Sequence, residues 1–202
     1  MEGMIIKPVI RHSVGQMLCM LVFVGIVSAS HIEWEDFLKN PNGATSYGTL
    51  VHSLKTCDKT AKCIEATPHA GALYDLLALV KSGNPHAVDV AILSLDLDLL
   101  DGGHLEDAIR ALGQLAETYP KLLLSCLQKH KFRGYPFESI FVMLPLETVD
   151  DVDAKIRTIQ KRIDSLSSVD DPPLKKERDN AILVLKRELK ELQRIKEEDL
   201  RK

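Results

Sequence analysis

Cationic excess is missing from this chain. Lys and Arg number 26 against 29 Asp and Glu, a formal net charge of -3. Loss of Glu2, Lys7 and Arg11 with a cleaved leader would make the chain one unit more negative. Nucleic acid and anionic membrane both select for a basic surplus, through counterion release or headgroup attraction, so neither is an expected partner. Aromatic residues are scarce at 5%, β-branched runs are few, and Leu and Ala are plentiful. That argues against sheet and for helix almost throughout. Chemical signatures are missing too. There is no Gly-x-Ser-x-Gly, no phosphate-cradling glycine loop and no Ser-x-x-Lys at a helix start. The histidines (His12, His31, His52, His69, His86, His104, His130) include no pair three or four residues apart, so no helix face offers two metal ligands. No cofactor or metal is expected, and no catalytic residue can be named.

Long apolar runs are limited to one, Met17 to Val27, a stretch of 11 residues. A spanning helix needs roughly 20. The run follows basic Lys7 and Arg11 and leads into Val27-Ser28-Ala29-Ser30, which is the layout of a secretory signal peptide over residues 1–30. Cleavage is expected after Ala29 or Ser30; the alternative is an uncleaved leader that anchors the protein in a membrane. Cleavage leaves about 172 residues, enough for one domain with a real core. Export also sets the redox chemistry. Cys57 and Cys63, six residues apart, are expected to form a disulfide worth about 2 kcal/mol, the alternative being two free thiols. Cys126 sits in Leu122-Leu123-Leu124-Ser125-Cys126-Leu127 and reads as a buried small hydrophobe, not a nucleophile.

Turn residues divide what remains into short helices. Ile32 to Lys39 is an amphipathic start that stops at Asn40-Pro41-Asn42-Gly43. Thr45 or Ser46 then caps a helix through about Thr56, carrying Tyr47, Leu50, Val51 and Leu54 on one side. Thr67-Pro68 and Asn84-Pro85 each supply a capping side chain followed by a proline, whose missing N–H costs nothing in a first turn. The first of these helices carries Leu73, Leu76, Leu77 and Val80; the second, Ala87 to Leu97, is apolar on most sides and belongs at the centre of the core. His69 and His86, each next to a helix-starting proline, are expected to face solvent. Leu105, Ala108, Ile109, Leu112 and Leu115 form the next stripe, and a further helix covers Lys121 to His130.

From Thr67 to His130, short antiparallel helices joined by brief turns resemble HEAT-like repeats, with the turns at Gly83-Asn84-Pro85 and Thr118-Tyr119-Pro120 about 35 residues apart. The resemblance implies helix pairs that bury a face against their neighbours. Phe132 to Pro145 is the least regular stretch and reads as a loop that packs its aromatics on the core, or else as an exposed apolar patch.

Composition changes at about residue 148. Val152, Ile156, Ile159, Ile163 and Leu166 form a seam of alternating four- and three-residue steps, Asp170-Asp171-Pro172-Pro173 makes a turn, and Ile182, Leu185, Leu189 and Leu192 form a second seam. Between Asp150 and Lys202 there are 14 Lys and Arg and 13 Asp and Glu, mixed in sign. The expectation is an all-α protein: a bundle or array of short antiparallel helices over 31–147 and a charged helical hairpin over 148–202. Stripes this narrow must zip together, dock on the main body or pair with a second chain.

One acidic turn invites a calcium reading. Asp96, Asp98, Asp101, Glu106 and Asp107 crowd around Gly102-Gly103, but counting from Asp96 puts Leu100 at loop position five and Asp101 at six, where an EF-hand needs a ligand and then Gly. A polar turn in which Asp101 caps the next helix fits better. Function therefore reads as that of an exported, periplasmic or extracellular protein that binds another protein as a scaffold, assembly factor or inhibitor. The residues expected to form the partner surface are Ile156, Ile159, Ile163, Leu185 and Leu189, then Tyr135, Phe137 and Phe141. The rival reading is a hydrolase or metal-binding enzyme with a site between core helices.

Overall fold

Proline- and glycine-bounded segments rich in leucine fold as helices along the whole described chain, which in this computed structural model covers residues 33–56, 68–132 and 135–201. Among these residues the regular structure is all helical, with no strand. The elements are α1 (33–39), α2 (Ala44–Thr56), α3 (Ala70–Lys81), α4 (Pro85–Asp96), α5 (Gly102–Thr118), α6 (Pro120–Lys129), α7 (Tyr135–Val142), α8 (Val152–Ser167) and α9 (Lys175–Asp199). Short 3-10 turns at Leu146–Thr148 and Pro172–Leu174 precede α8 and α9. Residues 1–32, with the leader, and residues 57–67, with Cys57 and Cys63, lie outside the described residues.

Local chemistry fixes the helix ends. Asn84 accepts a hydrogen bond from the Ala87 N–H, and Pro85 opens α4 as the sequence predicts. Gly83 closes α3 with φ +77, a backbone conformation that a side chain opposes. A Cβ there would also lie 2.7 Å from the Tyr119 ring, so the α3–α4 turn and the α5–α6 turn are fitted against each other. The helix expected from Thr67-Pro68 instead begins at Ala70. Its cap is His69, whose Nδ1 accepts from the Ala72 N–H at 3.1 Å. Asp101 does occupy the cap position of α5, but its side chain makes no capping bond.

Helix α4 is the centre of the molecule. Every residue from Ala87 to Leu95 is buried, and α2, α3, α5 and α6 pack around it. The stretch expected as an aromatic loop is corrected: Tyr135–Val142 is helical. Phe137, Ile140 and Phe141, spaced three and four apart, fall on one helical face and are buried together, with the two Phe rings edge to face at 5.1 Å.

The two C-terminal stripes pack against each other and against the body. Helices α8 and α9 pack along each other, α8 also on α5 and α6, and α9 also on α6 and α7. Lys196 near the end of α9 reaches Asp153 in the first turn of α8 at 2.6 Å. A single cluster of buried apolar side chains runs from Trp34 to Leu192. Each leucine in it contributes about 2 kcal/mol by leaving water.

Candidate functional site

A carboxylate in the middle of α4 is the anomaly that organises the polar chemistry of the fold. Asp89 lies between Val88 and Val90, its side chain only 4% exposed. A charge buried there must be paired and hydrogen-bonded. Two elements supply the partners. Tyr47 from α2 donates its hydroxyl proton to Oδ2. Lys129 and His130, at the end of α6, reach Oδ1 with Nζ and Nε2, both at 2.9 Å. Lys129 Nζ also donates to the Tyr47 oxygen at 3.0 Å.

The end of α6 is built to present this pair. Lys131 takes a positive φ of 52, and the Phe132 and Lys131 N–H groups return to the Leu127 and Gln128 carbonyls. This is the double bond of a Schellman close, and it aims the last helical turn at α4. On the other side His86 is drawn in. Its ring stacks on Tyr47 at 4.1 Å, and its Nδ1 lies 2.8 Å from the Pro41 carbonyl oxygen. Asn84 donates to Asn42 at 2.9 Å beside it. The first turn of α4 thus latches the α1–α2 turn, and the expected solvent-facing position of His86 is corrected.

Electrostatics follow from this packing. Burial would raise the Asp89 pKa, but hydrogen bonds from His130, Tyr47 and Lys129 outweigh it and hold the carboxyl well below the ordinary carboxylate range. Burial and the Asp89 charge push the Tyr47 hydroxyl up. Burial opposes the Lys129 charge, yet its bonds to Tyr47 and Asp89 carry its pKa to about 12. The cluster therefore stores a fixed carboxylate, a fixed ammonium and a protonated phenol. The arrangement is a saturated polar latch between α2, α4 and α6.

Sequence reasoning missed the cluster because its members are spread between positions 47 and 130. One signal was present: a lone Asp inside the apolar run Ala87 to Leu95 has to find donors from elsewhere. The residues that the sequence nominated for a partner surface lie mostly inside the protein. Ile159, Leu185 and Phe141 are fully buried, and Ile163 and Phe137 nearly so. Ile156 and Leu189 are partly buried against the same core. Their stripes zip α8 and α9 together and onto the body. Tyr135 opens α7, and its side chain lies outside the described residues.

What is exposed lies elsewhere. Tyr74 on α3 and Leu146 in the first 3-10 turn are 60% and 64% exposed, and both line one groove of about 350 Å³. Leu77, Lys81, Arg110 and Pro145 also line it, with Asp107 and Glu147. Arg110 is pinned there by Glu106 at 2.9 Å and Asp107 at 3.5 Å. Among the described residues no three His, Cys, Asp or Glu side chains converge as metal ligands, and no helix is long and apolar enough to cross a membrane. The chain matches no protein-family model, no curated protein and no solved structure.

Proposed function

We propose that this is an exported, non-enzymatic protein that works by holding another protein in the periplasm or outside the cell. The observation that carries the reading is the Tyr74–Leu146 groove. Two large apolar side chains that line it stand exposed, while Leu73, Leu76, Leu77, Leu112 and Leu115 of the neighbouring helices are buried. Exposed aromatic and aliphatic groups flanking one concavity are the anatomy of a polypeptide contact, with the occupant offering an aliphatic side chain between them. In this reading the leader is removed after Ala29 or Ser30, Cys57 pairs with Cys63, helices α3 to α6 stack in the HEAT-like manner, and α8 with α9 form an antiparallel hairpin that braces the array. The Lys196–Asp153 ion pair supports the hairpin.

A photo-crosslinking residue at Tyr74, expressed in the exporting cell, is expected to trap one discrete protein adduct that Leu146→Asp abolishes. Absence of any adduct would sink the reading. Mass spectrometry of the same material should give a chain beginning at Ser30 or His31. The rival, a hydrolase or metal enzyme between core helices, draws on the approach of His130 to Asp89. Asp89 is already saturated by its donors, which weighs against it.

A further inference from the structure

Helix α9 carries an outward stripe whose charge opposes that of the whole molecule. At 3.6 residues per turn, Lys176, Leu183 and Lys190 stand in line, seven residues apart, with Lys186 and Arg187 on either side of Leu183. All five are exposed, Leu183 by 69%. The arginines of this helix are taken: Arg178 by Asp179, Arg187 by Glu138 of α7, and Arg194 by Glu191 and Glu198. The guanidinium fork wins these carboxylates because it binds them in plane and by paired donors. Lys176, Lys186 and Lys190 are left without an ion pair among the described residues. Three ammonium groups outside any ion pair thus flank an exposed leucine over about 21 Å of helix, with Asp179, held by Arg178, on the same face, on a chain of formal net charge -3.

We infer that this stripe is a docking surface for an acidic protein segment, one that sets carboxylates opposite Lys176, Lys186 and Lys190 and an apolar side chain on Leu183. Charge complementarity selects the partner: a row of exposed ammonium groups outside any ion pair steers an acidic chain to this face. An anionic lipid surface fits less well. Membrane-surface helices bury a broad apolar face, whereas the apolar face of α9 (Ala181, Leu185, Leu192) is already buried in the protein's own core. The inference is independent of the Tyr74 groove, which lies on other elements.

The test uses the full chain and a fluorescein-labelled amphipathic peptide of Glu and Leu, with a Lys-for-Glu version and phosphatidylserine vesicles as comparators. The acidic peptide should bind, weaken with added salt, and lose about tenfold in affinity to Lys186→Glu/Lys190→Glu and to Leu183→Asp. Both variants change exposed side chains only, and circular dichroism should show the helix content of the parent. Equal binding of the acidic and basic peptides, parental affinity in the charge-reversal variant, or binding to vesicles in place of the peptide would each overturn the assignment.

Discussion

The guanidinium of Arg162 on α8 meets the carboxylate of Glu117 on α5 at 3.2 Å, and the Arg162 side chain is fully buried. Its Nη1 also donates to the Phe141 and Met143 carbonyls at 2.7 and 2.9 Å, closing the end of α7. Burial lowers the Arg162 pKa and Glu117 pulls it back up. One side chain therefore ties α5, α7 and α8. Arg162→Ala should cost about 3–5 kcal/mol, since it leaves Glu117 with Lys161 alone, strands two carbonyls and opens a cavity. Arg162→Met should cost less, because it refills the volume. Urea unfolding midpoints measure both, and an alanine cost below about 1 kcal/mol would contradict this role.

Gly113 is required by the same junction. A Cβ there would come within 2.6 Å of the Ile140 carbonyl oxygen and 3.2 Å of Arg162 Nη1. In a free helix Gly113→Ala should stabilise by about 1 kcal/mol. Here the backbone of α7 cannot yield without losing the Arg162 bonds, so the variant should be destabilised by about 1–3 kcal/mol. A thermal melt at or above the parent's would show that α7 can move away.

Stability should fall at both ends of the pH scale, with Asp89 responsible at the acid end and Lys129, together with Tyr47, at the alkaline end. Asp89 is held below its ordinary 3.8, so its contribution is whole above that value and disappears as pH drops through the lower folded value. Lys129 is raised from 10.5 to about 12, so its contribution is whole below 10.5 and is lost as pH rises through about 12. Asp89→Asn should flatten the acid limb of a stability–pH curve and Lys129→Met the alkaline limb. Unchanged limbs in both variants would mean that the latch contributes nothing net.

How much of this was legible beforehand depends on the range of each interaction. Helix existence was written locally: Asn84-Pro85, the Leu73-Leu76-Leu77-Val80 stripe and the seams of α8 and α9 all sit in windows of a turn or two. Tyr135–Val142 was missed because Gly134-Tyr135-Pro136 reads as a breaker, while burial of Phe137 and Phe141 in tertiary contact decides in favour of helix. The burial of Ile159, Ile163 and Leu185 was hidden for a related reason. A narrow apolar stripe states that it must be covered but not by what, and here the chain covers its own. Asp89 shows the limit most plainly: its anomaly is local, but its donors come from 40 or more residues away on either side.

Cys126 offers a check on the body of the fold that needs no substitution. The thiol lies on α6, buried, and burial followed by the nearby Asp89 charge pushes its pKa up to about 12. Thiolate is the reactive form, so at neutral pH the folded protein should present almost none of it. Iodoacetamide should leave the Cys126 peptide unmodified in the native state and label it fully in guanidinium chloride, as read by mass spectrometry of the digest. Asp89→Asn removes a charge that suppresses the thiolate but also loosens α6 against α4, so both effects should increase labelling. Rapid labelling of the parent would show that α6 leaves α4 readily, and the latch at Asp89 would then be too weak to hold the centre of the fold.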